Sequence, residues 1–289
     1  MFIASPFYLM KNSFKTLLLA TAVTASSAFA LTSNTFVNGQ GEIMLGFHAA
    51  SGTGAGQNLM VNLGSFQQFD NENGATFAFS SSIVADLNAT YGSEWSTSGL
   101  VNWSLIGTTG STTTIDGVNQ RTIFMTNAAG TGTESIVVNS NSSTSTTTNV
   151  NRITSIGTSY NAFETTANST VSVVVASSNA NSMQALLELS NNTRFGPVNQ
   201  VVASGAGSAL DFYALVPTGA VPSGLAIDGS EHLYTDGANF LGTFTLDASG
   251  LSFTASGASA VPEPSTYAAL AGAAVLGLAA YRRRSAVRA

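Results

Sequence analysis

Apolar and polar residues alternate over short stretches through most of the chain. The clearest stretch is Phe240–Leu246, where Gly242, Phe244 and Leu246 alternate with Thr243 and Thr245, the period-two pattern of a half-buried strand. Seven further runs carry the same composition of Val, Ile, Phe, Leu and Thr between Gly, Asn and Ser clusters. They are Glu42–Ala49, Leu59–Leu63, Leu100–Gly107, Arg121–Thr126, Val171–Ala176, Leu210–Val216 and Leu251–Ala255, and each predicts a strand. Gly242–Leu246 and Leu251–Ala255, joined through Asp247-Ala-Ser-Gly250, predict a hairpin. Helical spacing is confined to Ser81–Tyr91, with Ile83, Val84, Leu87 and Tyr91 on one face, and to Ser182–Leu189. The pattern predicts a mainly β fold over residues 31–257, an antiparallel β-sandwich-like ectodomain with short helical insertions. Asn139–Asn149 consists only of Ser, Thr and Asn. Such a tract has no apolar area to offset its ordering, so it predicts a mobile loop, with O-glycosylation as the functional alternative.

The two ends break the alternation. Residues 10–30 read MKNSFKTLLLATAVTASSAFA. Lys11 and Lys15 form a positive region and Thr16–Ala25 a short apolar one, and Ala28-Phe29-Ala30 supplies the small residues a signal peptidase accepts. This order predicts an N-terminal signal helix over residues 1–30, started at Met10 and cleaved after Ala30, with Ala28 and Ala30 as the cleavage residues. Leu31 then begins the mature chain. At the other end, Pro262-Glu263-Pro264 is followed by an uncharged run over 265–281 and a basic cluster over 282–288. Tyr267–Tyr281 spans about 22 Å as a helix, short of a hydrocarbon core of about 30 Å. Arginine snorkelling and local thinning close such a gap, so the run predicts a single C-terminal transmembrane helix. Arg282, Arg283, Arg284 and Arg288 place its end in the cytoplasm and the body outside.

The tail's order of motif, span and basic cluster resembles the PEP-CTERM sorting signal over residues 261–289. The resemblance implies an exported bacterial protein whose tail is handled by exosortase, a membrane-embedded cysteine protease or transpeptidase acting at Pro262, Glu263 and Pro264. It also implies an association with exopolysaccharide and biofilm matrix. The same tail is sometimes labelled an ice-binding protein C-terminal domain, which describes some host proteins and not its chemistry. Mechanically the motif suits a protease, because proline fixes φ and lacks an N–H, which keeps Pro-Glu-Pro extended and out of helix or sheet. Gly41–Phe66 and Ala85–Trp95 resemble the body of a group of PEP-CTERM proteins, which implies a shared extracellular β-fold and no activity.

Composition narrows the chemistry. Charged residues are 8% of the chain, against about 25% in an average soluble protein. The body holds Arg121, Arg152 and Arg194, no Lys, and 14 acids, a formal charge of −11 against −6 for the whole chain. A body this acidic repels phosphate backbones, which excludes nucleic acid as a partner. With no Cys and only His48 and His232, thiol chemistry, disulfides and a multi-histidine metal site lack material. No metal site and no cofactor is expected.

Four internal patterns invite a functional reading. Gly52-Thr-Gly54-Ala-Gly56 follows a strand like a nucleotide loop, yet Gln57 breaks the fingerprint and no P-loop Lys follows, so a hairpin loop is expected. Asp70-Asn-Glu72-Asn-Gly74 and Asp228–Asp236 suggest calcium loops, but the first has its Gly one position early and a Ser where the closing Glu belongs. Trp95 and Trp103 with Tyr91 suit sugar stacking or, more commonly, core packing. No G-x-S-x-G occurs, and nothing marks two of the acids as a glycosidase pair. The expectation is therefore an exported, non-enzymatic cell-surface or matrix protein without catalytic residues. Its processing partners are exosortase and signal peptidase, its temporary anchor the inner membrane, and exopolysaccharide a further partner. The alternative is an extracellular carbohydrate-binding or polysaccharide-active protein. Ice binding ranks last, because no T-x-T array recurs at a fixed period.

Overall fold

The computed structural model describes residues 27–29, 35–49, 51–69, 76–79, 82–112, 114–115, 118–130, 136, 138–163, 172–187, 203–204, 208–219 and 236–256. The eight predicted strands are all present as β2 (Glu42–Ala49), β3 (Gln57–Ser65), β5 (Val101–Thr108), β6 (Ile123–Ala128), β7 (Ser172–Ala176), β9 (Ser208–Val216), β10 (Gly237–Asp247) and β11 (Gly250–Ala255). Three short strands join them: β1 (Ser27–Phe29), β4 (Thr76–Phe79) and β8 (Ala203–Ser204). The predicted hairpin is formed, with Leu246 opposite Leu251 and Asp247 opposite Gly250.

These strands build one sheet in the order β1-β4-β11-β10-β9-β6-β5-β2-β3-β7, with β8 beside β5. Every pairing is antiparallel except that of β1 with β4. The expected two-sheet sandwich is therefore corrected to a single curled sheet. Phe69, in the short helical turn that follows β3, shows the curl. Its ring lies 5.2 Å from Phe253, 5.3 Å from Phe244, 5.8 Å from Phe212 and 6.0 Å from Phe79. In a flat sheet β3 and β11 are six strand spacings, or about 29 Å, apart. Curling brings them over one core instead.

The concave core takes Ile43, Leu45 and Phe47 of β2, Trp103 and Leu105 of β5, Phe212 of β9, Phe244 of β10 and Phe253 of β11. Helix α1 (Ser82–Tyr91) adds Ile83, Leu87 and Tyr91 and touches β3, β7 and β11. A curled sheet thus buries its inner face on itself and one helix, so no second sheet is needed.

The convex face carries a second core. Met44, Met60, Ile106, Met125, Val173, Tyr213 and Leu215 pack beneath Val150, Ile153, Ile156 and Tyr160 of α2 (Thr144–Ala162) and Met183 of α3 (Met183–Leu187). Helix α2 overturns the loop expected over Asn139–Asn149, since residues 144–149 form its first turns. Ser143 caps it, accepting from the Ser145 N–H at 3.1 Å. The apolar stripe from Val150 to Tyr160 anchors the helix, and the hydroxyl-rich turns ahead of it follow. In those turns Thr146 donates to the Ser140 carbonyl, and along the rest of the helix Thr154, Ser155 and Thr158 donate to carbonyls four residues back. Helix α1 lies where predicted, and α3 occupies the described part of its predicted span.

The last residues of the expected signal helix, Ser27–Phe29, are extended and not helical. The remainder of residues 1–30, and the predicted transmembrane helix, lie outside the described residues. Among the described residues no helix is long and apolar enough to cross a membrane.

Candidate functional site

β1, near the N-terminal end, and β11, which precedes the tail, flank the short strand β4. In β1, Ser27, Ala28 and Phe29 stand opposite Phe77, Ala78 and Phe79 of β4. On its other side β4 pairs antiparallel with β11, Thr76 opposite Thr254 and Ala78 opposite Ser252. The chain therefore enters β1 and leaves β11 at the same end of the sheet, two strands apart, or about 10 Å. Ala28 sits in β1. Ala30, Pro262, Glu263, Pro264, Arg282, Arg283 and Arg284 lie outside the described residues. Ser256, whose N–H donates to the Leu241 carbonyl at 2.8 Å, is the last described residue before the tail.

The described carboxylates are taken up by their surroundings. Asp86 accepts from the Ser172 hydroxyl at 2.7 Å in the interior. Asp211 accepts from the Thr243 hydroxyl at 2.7 Å and the Gly130 N–H at 2.6 Å. Glu42 accepts from the Val37 N–H at 2.5 Å and the Asn62 amide at 3.2 Å; burial pushes its carboxyl above the ordinary range, outweighing those two bonds. Asp247 is held below that range by the Ser249 hydroxyl and N–H in the hairpin turn. Each of these acids fixes a turn, a strand or a helix.

The other internal candidates are equally structural. His48 Nε2 lies 3.4 Å from the Asn102 amide on the neighbouring strand, and His232 is outside the described residues. Trp95, Trp103 and Tyr91 are buried in the concave core, so packing is their role and stacking on a sugar is excluded. Residues 51–56, with Gly52 and Gly54, turn the β2–β3 hairpin. Of the suggested calcium loops, Asp236 alone is described, and it accepts from the Gly219 N–H at 3.1 Å. Among the described residues no three His, Asp or Glu side chains converge.

Arg121 is a residue whose part the sequence did not disclose. It lines a small recess, with room for about one water, together with Asn139, Thr146, Asn149, Ile123, Val138, Leu215 and Pro217. Its guanidinium donates to the Ser111 carbonyl at 3.3 Å and to the Asn141 carbonyl. This ties the β5–β6 connection to the approach of α2. Its backbone sits at φ +63°, a conformation that costs a non-glycine residue about 1–2 kcal/mol. The signal available in the sequence was scarcity, one of three cations in a lysine-free body.

Residues 260–284 match the PEP-CTERM protein-sorting motif. The tail is a PEP-CTERM sorting signal. The match contains Pro262, Glu263 and Pro264 as well as Arg282, Arg283 and Arg284. It begins four residues beyond Ser256, so the PEP-CTERM tail follows the end of β11 almost directly. The motif marks the chain as an exported protein whose tail exosortase processes. No curated protein matches the chain, and no solved structure does.

Proposed function

We propose that this chain is a non-enzymatic protein of the cell surface or extracellular matrix, delivered by successive processing of its two ends. Signal peptidase cuts after Ala30, reading Ala28 and Ala30. The tail then holds the body outside the inner membrane, with Arg282, Arg283 and Arg284 on the cytoplasmic side. Exosortase cuts near Pro262-Glu263-Pro264 and releases or attaches the body, where exopolysaccharide is its neighbour.

The observation that carries this reading is the sorting motif matched over residues 260–284. That motif begins four residues beyond Ser256, so a cut near Pro262-Glu263-Pro264 frees the body just past the end of β11.

Intact mass of the protein recovered outside cells of its native host tests the proposal. A product running from Leu31 to the Pro-Glu-Pro region, with or without added sugar, is expected. A product that retains Arg282–Arg284 rules out exosortase cleavage and leaves the tail as a plain anchor.

A further inference from the structure

We propose that Asn38 is a self-modifying site: without any enzyme its side-chain amide is lost through the backbone of Gly39, and the change loosens α2 from the segment before β2. Asn38 and Gly39 are the central residues of a turn in which the Gln40 N–H donates to the Val37 carbonyl at 3.3 Å. Gly39 stands at φ +72°, and a Cβ added there would come within 3.2 Å of the Gly110 Cα. The turn therefore requires glycine. That requirement leaves the nitrogen following Asn38 without a side chain to shield it. Attack on the amide also needs the peptide unit between Asn38 and Gly39 to rotate toward the Asn38 side chain. Among the described residues, neither the C=O nor the N–H of that unit has a hydrogen-bond partner. The side chain itself is held at one atom. Its Nδ2 donates to the Thr158 hydroxyl at 3.2 Å, while Oδ1 is buried and, among the described residues, unpartnered.

The Gly39 nitrogen loses its proton to hydroxide and bonds to the Asn38 Cγ. The Cγ–Nδ2 bond breaks and ammonia leaves with a proton from water, which closes a five-membered succinimide ring. Water then adds to one of the two ring carbonyls. Opening on one side gives aspartate; opening on the other gives isoaspartate, which lengthens the backbone by a methylene. Nothing is oxidised or reduced, and water is the only co-reactant. The product matters because of where Asn38 sits. Its Oδ1 and the Phe36 ring fill the space that a Cβ on Gly157 of α2 would take. Either product brings a negative charge to this contact, and an unpaired charge is costly to keep buried. Isoaspartate also displaces Phe36, whose N–H and carbonyl are both bound by Asn161. The carboxylate turns out to water, and α2 loses its grip on the segment. The reaction needs neither end of the chain to be cleaved.

Peptide mapping of the folded protein, sampled during incubation at neutral and mildly alkaline pH, tests the site. A glutamate-specific protease cuts at Glu42 and so separates Asn38-Gly39 from Asn73-Gly74, the other such pair in the chain. The Asn38 peptide is expected to change from amide to acid as two products, isoaspartate and aspartate, at a rate that rises in proportion to hydroxide. Protein unfolded in urea gives the reference rate, and folded protein is expected to react within several-fold of it. An amide that survives in folded protein while it is lost in urea overturns the site. Asn38→Gln, whose longer side chain disfavours the five-membered ring, is expected to keep its amide; loss at the unsubstituted rate overturns the backbone attack. Hydrogen exchange over residues 150–162 tests the consequence. Faster exchange in incubated protein, reproduced without incubation by Asn38→Asp, is expected, and unchanged exchange in both overturns the loosening.

Discussion

Tyr91 ends α1 with its ring in the concave core and its hydroxyl between two strands. The hydroxyl donates to the Phe47 carbonyl at 2.7 Å and accepts from the Leu59 N–H at 3.0 Å, so it stitches β2 and β3 to the helix. Burial pushes its ionisation well above the ordinary tyrosine range, which lies near 10. The unfolded chain ionises first, so Tyr91's contribution is complete below about pH 10 and is lost as pH rises above it. Tyr91→Phe removes the bonds from the Leu59 N–H and to the Phe47 carbonyl and is expected to cost about 1–2 kcal/mol at neutral pH. Urea midpoints of both proteins should converge between about pH 9 and 11, because only the tyrosine pays for ionisation. The sequence placed Tyr91 on the buried face of its helix. The partners of its hydroxyl, 32 and 44 residues away, belong to strand geometry that periodicity does not encode.

At the scale of elements, α2 is the informative case. Gly157 lets it settle onto the segment before β2, since a Cβ there would run into the Phe36 ring and the Asn38 side chain. Asn161 fastens the same contact, accepting from the Phe36 N–H and donating to its carbonyl, both at 2.8 Å. Gly157→Ala gains about 1 kcal/mol of helix propensity, but overpacking of this kind costs about 1–3 kcal/mol. A melting temperature lowered by a few degrees is expected in calorimetry. The strands were legible because their apolar runs are short, uncharged and closed by Gly, Asn and Ser. Helix α2 was not, because its stripe of Val150, Ile153, Ile156 and Tyr160 starts behind a tract whose composition signals a loop. Strand β4 is four residues long and offers too little alternation to read. The sorting motif of the tail was legible, being a linear signal whose meaning does not pass through folding.

For the molecule as a whole, the mainly β class followed from pattern, while the arrangement of strands did not. The choice between two facing sheets and one curled sheet rests on pairings such as Thr76 with Thr254, 178 residues apart, and on the rings gathered around Phe69. Because single strands serve both cores, the two layers are one thermodynamic unit. β5 sends Trp103 to the concave side and Ile106 to the convex side under α2. Tryptophan fluorescence, reporting the first core, and far-UV circular dichroism, reporting the helices, should therefore give coincident denaturation curves. Separate midpoints would show that α2 unfolds independently.

The way this body holds its charges has a consequence for where it can work. Glu42, Asp86, Asp211 and Asp247 are satisfied by amides and hydroxyls, and Arg121 by carbonyls. Each bond joins one ion to a neutral dipole at contact distance. Dissolved ions screen attraction between charges over the Debye length, about 8 Å at physiological strength, and find little of it here to weaken. For these five side chains, fresh water and brine are much the same surroundings.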